Sequence, residues 1–304
     1  MQNKTVSVLM PSYNNMDYFS KAVESILNQS YTDFELIILD DCSEENLYDT
    51  IRLYNDERIK YIRFNKNRGS AACLNDGIHL AAGDYIAIMD ADDISLKNRL
   101  KKQVDYMNKN PDIDICGTMY YRMDSNDNNT SLHQSKLSDD EIKSALFLGE
   151  TSVHHPTSMI RKKILEKGLI EYEPEFIYAE DYRLWCRCSI DHSFANIPEP
   201  LFCYRVHNNS VSLKYSDAQR NTARRILALH LKSLGIQYTP DELLCHFQYC
   251  LPMNETINRD FMNRIERWHD KLQKIVFERR LFNIDVYTKL SEGQLKRIKK
   301  RYNK

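Results

Sequence analysis

The N-terminal part of the chain alternates short apolar runs with stretches in which apolar residues recur every three or four positions. Val6-Ser7-Val8-Leu9-Met10 reads as a strand that stops at Pro11, and Phe19, Ala22, Val23, Ile26 and Leu27 then share one helix face. The unit repeats three times. Glu35 to Leu39 precedes a helix from Asn46 to Tyr54, and Tyr61 to Phe64 precedes a helix from Ala71 to Ala82 that Gly83 stops. The run from Asp84 to Met89 precedes a helix bearing Leu96, Leu100, Val104 and Met107, which ends at Asn110-Pro111. This alternation predicts an α/β fold, a mostly parallel sheet flanked by helices, with ligands bound beyond the carboxyl ends of the strands. Pro11 to Asn14, Asp40-Asp41 and Asp90 to Asp93 fall at those ends.

From 119 to 213 the periodicity weakens into short strands and polar loops, including the polar connection Asp124 to Thr130. After Ser216 it returns as amphipathic, charge-rich helices over Gln219 to Leu234, Asp241 to Cys250 and Glu255 to Phe282, with a basic end from Lys296 to Arg301. The expected organisation is a domain over 1–213, with halves 1–118 and 119–213, followed by a helical extension over 214–304. In that extension Trp268, Leu272, Ile275 and Val276 stand among Arg264, Arg267, Lys271, Lys274, Arg279 and Arg280. Such a helix either lies on an anionic membrane or packs as a capping or dimer helix, and charge runs usually being solvated faces favours packing.

Composition narrows the function classes. In 304 residues, 42 Lys+Arg balance 43 Asp+Glu to a net charge of -1, so no basic field argues for nucleic acid. Apolar runs such as Leu36 to Leu39 fall well short of the roughly 20 residues that span a bilayer, and the N-terminus lacks a signal-like region. A cytoplasmic protein is expected, with peripheral attachment at the inner face of the cell membrane as the other option. The eight cysteines are scattered, only Cys186 and Cys188 lying close, a spacing that fits neither a CxxC pair nor a zinc site, so reduced thiols are expected.

Chemistry concentrates where the apolar run Tyr85 to Met89 meets Asp90-Ala91-Asp92-Asp93. Carboxylates this close repel one another unless they share a cation or bind hydroxyl-rich or cationic groups. Hard divalent ions such as Mn2+ or Mg2+ prefer such oxygen ligands.

Six motifs occur in order: Met10-Pro11-Ser12-Tyr13-Asn14, Asp40-Asp41-Cys42-Ser43, Asn67-Arg68-Gly69 with Asn75-Asp76-Gly77, Asp90-Ala91-Asp92-Asp93, Glu180-Asp181, and Tyr204-Arg205-Val206-His207. Together, over about residues 5 to 213, they resemble the family 2 glycosyltransferases with their GT-A type, Rossmann-like nucleotide-sugar-binding fold. The resemblance implies an inverting, metal-dependent transfer from a UDP-sugar to a hydroxyl of a saccharide or lipid-linked saccharide, forming a β-glycoside in surface polysaccharide synthesis. It implies donor binding by Pro11, Tyr13, Asp40, Asp41, Asn67, Arg68, Gly69, Asp90, Ala91 and Asp92, with Asp41 favoured for uracil. Pro11 reads equally well as a strand terminator, and Arg68 as a surface arginine. Asp92 and His207 would hold Mn2+ or Mg2+, while Asp90 contacts the ribose or a metal-bound water and Asp93 steers or caps. Asp181 would be the general base, with Glu180, His155 and Trp185 on the acceptor side and Arg205 and Ser212 on the diphosphate. Adjacent histidines on a strand point opposite ways, so only one of His154 and His155 can face the acceptor. The rivals are a non-catalytic nucleotide-sugar-binding scaffold, which needs no base, and a sugar nucleotidyltransferase, which needs a Gly-rich basic loop where this chain has Pro11-Ser12-Tyr13-Asn14-Asn15.

Overall fold

A computed structural model describes residues 5–165, 170–207, 210, 214–252 and 258–302. Its strands are β1 (Val6–Ser12), β2 (Phe34–Asp40), β3 (Ile59–Arg63), β4 (Tyr85–Ile88), β5 (Ile94–Ser95), β6 (Ile115–Met123), β7 (Asn129–His133), β8 (Met159–Arg161) and β9 (Phe194–Arg205). The sheet runs β3-β2-β1-β4-β8-β6-β9-β5, with β7 paired to β6. The first four strands are parallel, as are β6 and β9, whereas β8 lies antiparallel between β4 and β6. The alternating part of the sequence thus became the parallel part of the sheet.

The strands are apolar on both faces because both are covered. Leu9, Ile37, Leu39, Ile86 and Ile88 point to one cluster, while Val8, Met10, Leu36, Ile38 and Ala87 point to the other. Helices α1 (Met16–Leu27) and α4 (Arg99–Lys109) cover the second face, and α3 (Ser70–Leu80) the first. A short helix, α2 (Leu47–Ile51), follows β2. Gly77 lets α3 lie directly on β1 and β2, since a Cβ there would come within 2.7 Å of the Leu39 side chain.

Three expectations need correction. β1 continues through Pro11 to Ser12, because a strand's carboxyl end can tolerate a missing donor. The exposed connection is shorter than Asp124 to Thr130, since Asn129 and Thr130 already belong to β7; it is the turn of the β6–β7 hairpin, in which Asp124 Oδ1 accepts from the backbone N–H groups of Asn126 and Asn128 at 2.8 and 3.0 Å. The helical extension contains one helix that its charge-rich sequence concealed: after α7 (Ser216–Ser233), α8 (Pro240–Cys250) and α9 (Arg259–Arg279) comes α10 (Ile284–Tyr302).

The extension shares one core with the sheet domain. Ile226, Tyr249, Trp268, Leu272, Val276, Tyr287 and Ile298 join the cluster that also holds Phe147 of α5 (Asp139–Phe147) and Trp185 of α6 (Glu180–Asp191). Phe147 lies 5.3 to 6.0 Å, ring to ring, from His230, His246, Phe282 and Tyr287. The apolar face of α9 is therefore spent inside the chain. Three of its cations are paired as well, Lys271 with Glu242 at 2.7 Å, Lys274 with Glu278 at 3.7 Å and Arg264 with Asp241. Among the described residues no helix is long and apolar enough to cross a membrane.

Trp268 is buried, and its indole N–H donates to His246 Nδ1 at 3.2 Å. Trp268→Ala should cost about 3–5 kcal/mol in urea unfolding monitored by circular dichroism. Loss of only a few tenths of that would show the extension to be a detachable appendage.

Candidate active site

The carboxyl ends of β1, β2 and β4 open on the same side, and the loops after β1, β2 and β3 are tied to one another. Asp41 accepts from the backbone N–H groups of Arg68 and Gly69, both at 2.8 Å, and so fixes the entry to α3. Gly69 has φ 83°, a left-handed conformation that explains glycine there. Asp41 thus holds the loop before α3 and still has carboxylate lone-pair capacity for a ligand. Asp40 does not belong to the site. It is fully buried, with Oδ1 accepting from Ser43 N–H at 2.8 Å and Oδ2 from the Tyr61 hydroxyl at 2.5 Å.

The remaining donor-side candidates line the rim. Pro11 is half-buried at the end of β1, Tyr13 beyond it is 45% exposed, and Asn67 is exposed. Arg68 is not a free surface cation: it pairs with Asp76 and its guanidinium lies 4.0 Å over the Phe64 ring.

Asp90, Asp92 and Asp93 each direct a carboxylate oxygen into one cluster within 4.8 Å. Ala91 is buried between them. Burial, with the charge of Asp92 next and those of Asp181 and Glu180 after it, pushes the Asp90 carboxyl up to about 8. Asp93, fully buried, is raised well above the carboxylate range by burial and then by Asp92. Beneath the cluster lies Arg99, also fully buried, which donates to the carbonyls of Ile88 and Ser158 at 2.8 and 3.1 Å and lowers the cost of both acids.

His207 arrives from 115 positions downstream, its Nε2 at 2.9 Å from Asp92 Oδ2. What brings it there is Arg205. The backbone N–H of Arg205 donates to Asp93 Oδ1 at 2.7 Å, its Nε to the Asp92 carbonyl at 2.6 Å, and its Nη1 to Asp127 Oδ1 at 2.5 Å, with the guanidinium 4.3 Å over Tyr18. At 1% exposure, Arg205 is a buried clamp between the acid loop, the β6–β7 turn and α1, which corrects its assignment to a diphosphate contact. Ser212 lies outside the described residues.

The acceptor-side candidates meet the cluster from α6. Asp181 and Glu180 occupy its first turn, Asp181 Oδ1 accepting from Tyr182 N–H at 2.7 Å. Burial and the charge of Asp181 push Glu180 up to about 7. The two histidines do diverge. His154 stacks on Tyr120 at 4.3 Å, whereas His155 Nε2 meets the Tyr172 hydroxyl at 2.8 Å, in a 3-10 turn rather than a strand. Tyr172 is pinned by Asn75 of α3, whose amide bonds the Tyr172 carbonyl and N–H at 2.8 and 3.0 Å. Trp185 is 0% exposed, with its ring edge-on to Phe194 at 6.2 Å, so it is core and offers no face to a sugar.

Sequence reasoning missed Arg99, Tyr172, Tyr18 and the structural role of Asp127. Only Asn75, inside a quoted motif, carried a signal for the contact it makes.

The acid cluster fits a divalent cation. Asp93 Oδ2 is buried without a hydrogen-bond partner, and the donor set is hard oxygen plus one imidazole. The 2.9 Å between Asp92 and His207 matches two neighbouring ligands of an octahedral ion bound at about 2.1 Å. A hollow of about 320 Å³ opens beside His207, lined also by Asn14, Asn15, Asp17, Tyr18, Asp124 and Ser125. A larger one, about 430 Å³ between α1 and the β6–β7 hairpin, touches none of Asp90, Asp92 and Asp181.

Comparison with known proteins gives this geometry a context. A sequence profile described as "Glycosyl transferase family 2" matches residues 7–169. A glycosyltransferase of Methanocaldococcus jannaschii is 36% identical over 77% of this chain and 81% of its own. The teichuronic acid biosynthesis glycosyltransferase TuaG of Bacillus subtilis, a putative assignment, is 32% identical over 74% and 89%. WfgD of Escherichia coli, a UDP-Glc:alpha-D-GlcNAc-diphosphoundecaprenol beta-1,3-glucosyltransferase, is 29% identical over 72% and 85%. Among solved structures, S. aureus TarS 1-349 in complex with UDP-GlcNAc superimposes with a TM-score of 0.67 at 18% identity, over 95% of this chain and 91% of that one.

Two outcomes test the cluster. With Asp90 pushed up to about 8, the metal-free site holds a proton at pH 7 that a cation displaces. Calorimetric Mn2+ titration in buffers of different ionisation enthalpy should therefore show proton release at pH 7, and affinity that rises with pH up to about 8 and then levels. Asp90→Asn should lower the release to the share that Asp93 supplies; an unchanged release would place the proton on Asp93 alone. Arg205→Met should weaken Mn2+ binding at least roughly ten-fold, the scale on which supporting residues act at metal sites.

Proposed function

The chain belongs to glycosyltransferase family 2 and has the GT-A fold, and from that membership we propose that it transfers a sugar, with inversion, from a UDP-sugar to a hydroxyl of a saccharide or lipid-linked saccharide. One observation carries this reading: a metal-type acid and histidine, Asp92 and His207, meet at 2.9 Å, while Asp181 from α6 lies close enough for its charge to raise Asp90. A scaffold needs the first of these and not the second.

In this reading Pro11, Tyr13, Asp41 and Asn67 to Gly69 frame the nucleoside, and Asp90 takes the ribose or a metal-bound water. Asp92, His207 and the unpartnered oxygen of Asp93 are the residues that would hold Mn2+ or Mg2+, which when bound supplies positive charge against the departing diphosphate. Asp181 accepts the proton of the acceptor hydroxyl as that oxygen bonds to the anomeric carbon. The bond from this carbon to UDP breaks on the opposite face, and its electron pair leaves with UDP. A single displacement turns an α-linked donor into a β-glycoside. Glu180 and His155 face the acceptor, and the Asn75–Tyr172–His155 chain fixes where His155 stands.

The functions assigned to WfgD and TuaG support surface polysaccharide synthesis as the setting. A lipid-linked acceptor would bring the enzyme to the inner face of a membrane, where exposed Lys296, Arg297, Lys300 and Arg301 of α10 offer positive charge.

Asp181→Asn is expected to lower kcat by roughly 10² to 10⁴ while leaving UDP binding in the presence of Mn2+ unchanged. Turnover close to wild type in a UDP-release assay would remove Asp181 as the base.

A further inference from the structure

A saccharide acceptor needs an apolar face as well as a base, and with Trp185 buried that face must come from elsewhere. The turn leading into α6 supplies one. Tyr178 has φ 68°, a left-handed conformation that a bulky side chain adopts only where its surroundings enforce it. Two contacts do so here: its ring stacks on Tyr215 with centroids 4.3 Å apart and planes 8° from parallel, and its carbonyl accepts from Gln219 Nε2 at 2.8 Å. Both rings are only half-buried, and Ile177 beside them is 58% exposed. A pair serving the core alone would be covered. Tyr215 has Tyr178 on one face and the Lys214 ammonium over its ring at 5.4 Å, so the open aromatic surface is the outer face of Tyr178, three residues before Asp181, with its phenol within electrostatic reach of Glu180.

We propose that Tyr178, backed by Tyr215 and with Ile177 at its edge, forms the acceptor subsite, its outer face a platform on which the pyranose ring of a saccharide stacks beside Asp181. The platform rests on the glycosyltransferase reading of that site. It assigns the strain at Tyr178 a purpose, since the left-handed turn aims the ring and the acid from the same short segment. It also gives the extension a part in recognition, because Tyr215 immediately precedes α7.

The test uses the full chain with Mn2+, measuring UDP release from the UDP-hexose that the wild type hydrolyses fastest, with and without a panel of p-nitrophenyl hexosides and hexosaminides. Tyr178→Leu keeps apolar bulk without an aromatic face, and should raise the KM for the accelerating glycoside roughly ten-fold while leaving donor KM and acceptor-free UDP release unchanged. Tyr178→Phe should retain the wild-type acceptor KM. Gln219→Ala removes the strut and leaves the ring held by Tyr215 alone, so the acceptor KM should rise less than in Tyr178→Leu. An unchanged acceptor KM in Tyr178→Leu overturns the platform, as does a rise in Gln219→Ala equal to that in Tyr178→Leu, which would mean a strut alone. Wild-type UDP release that no glycoside accelerates also counts against a saccharide platform. No UDP release at all from the wild type, with any UDP-sugar, overturns the glycosyltransferase reading itself and the subsite with it.

Discussion

Three carboxylates gathered at the end of a buried strand repel one another, and burial raises the cost of charging Asp90 and Asp93. The surrounding structure is arranged around that constraint. Arg99 sits fully buried beneath the cluster, the Arg205 backbone caps Asp93, and the Arg205 side chain ties the acid loop to the β6–β7 turn and to α1. These contacts still leave one buried oxygen of Asp93 unpartnered and the Asp90 carboxyl raised to about 8. The cluster is thus compensated enough to fold and left with capacity for a cation. Preorganisation of this kind keeps ligands in place before the ion arrives.

Much of this was legible in the sequence because it depends on local pattern. The alternation of apolar runs with helical periodicity located β1 to β4, and the position of Asp90 to Asp93 at a strand end made it a site. His207 and Asp181 became legible only through their place in an ordered set of motifs. What stayed hidden is what tertiary contact decides. Asp40 and Asp41 are neighbours in sequence, yet one is sealed by Ser43 and Tyr61 while the other holds the loop before α3. Trp185 and Tyr178 are both aromatic residues near Asp181, and only burial distinguishes a core ring from an open one. Arg205 has the composition of a phosphate ligand and the surroundings of a clamp.

The helical extension illustrates the same limit. Its charge-rich helices suggested either a membrane face or a packed cap, and α10 gave no apolar stripe strong enough to be read. In the structure Trp268, Leu272 and Val276 continue the core that includes Trp185 and Leu184 of α6. The helix that carries Asp181 is therefore packed from behind by the extension, and its leading turn is held by Gln219 and Tyr215. The groups proposed for the donor stand on the sheet, whereas those proposed for the acceptor depend on both the sheet and the extension. The site's division of labour follows the division of its supports.

The central claim is that the strand-end acids hold a divalent cation against a nucleoside diphosphate, and the linkage between the two ligands tests it most directly. UDP is titrated calorimetrically into the protein with and without saturating Mn2+, and Mn2+ with and without saturating UDP. Binding through a shared ion predicts that each ligand tightens the other by the same factor, of order ten-fold or more, at one site per chain. UDP affinity that is indifferent to Mn2+ would contradict it.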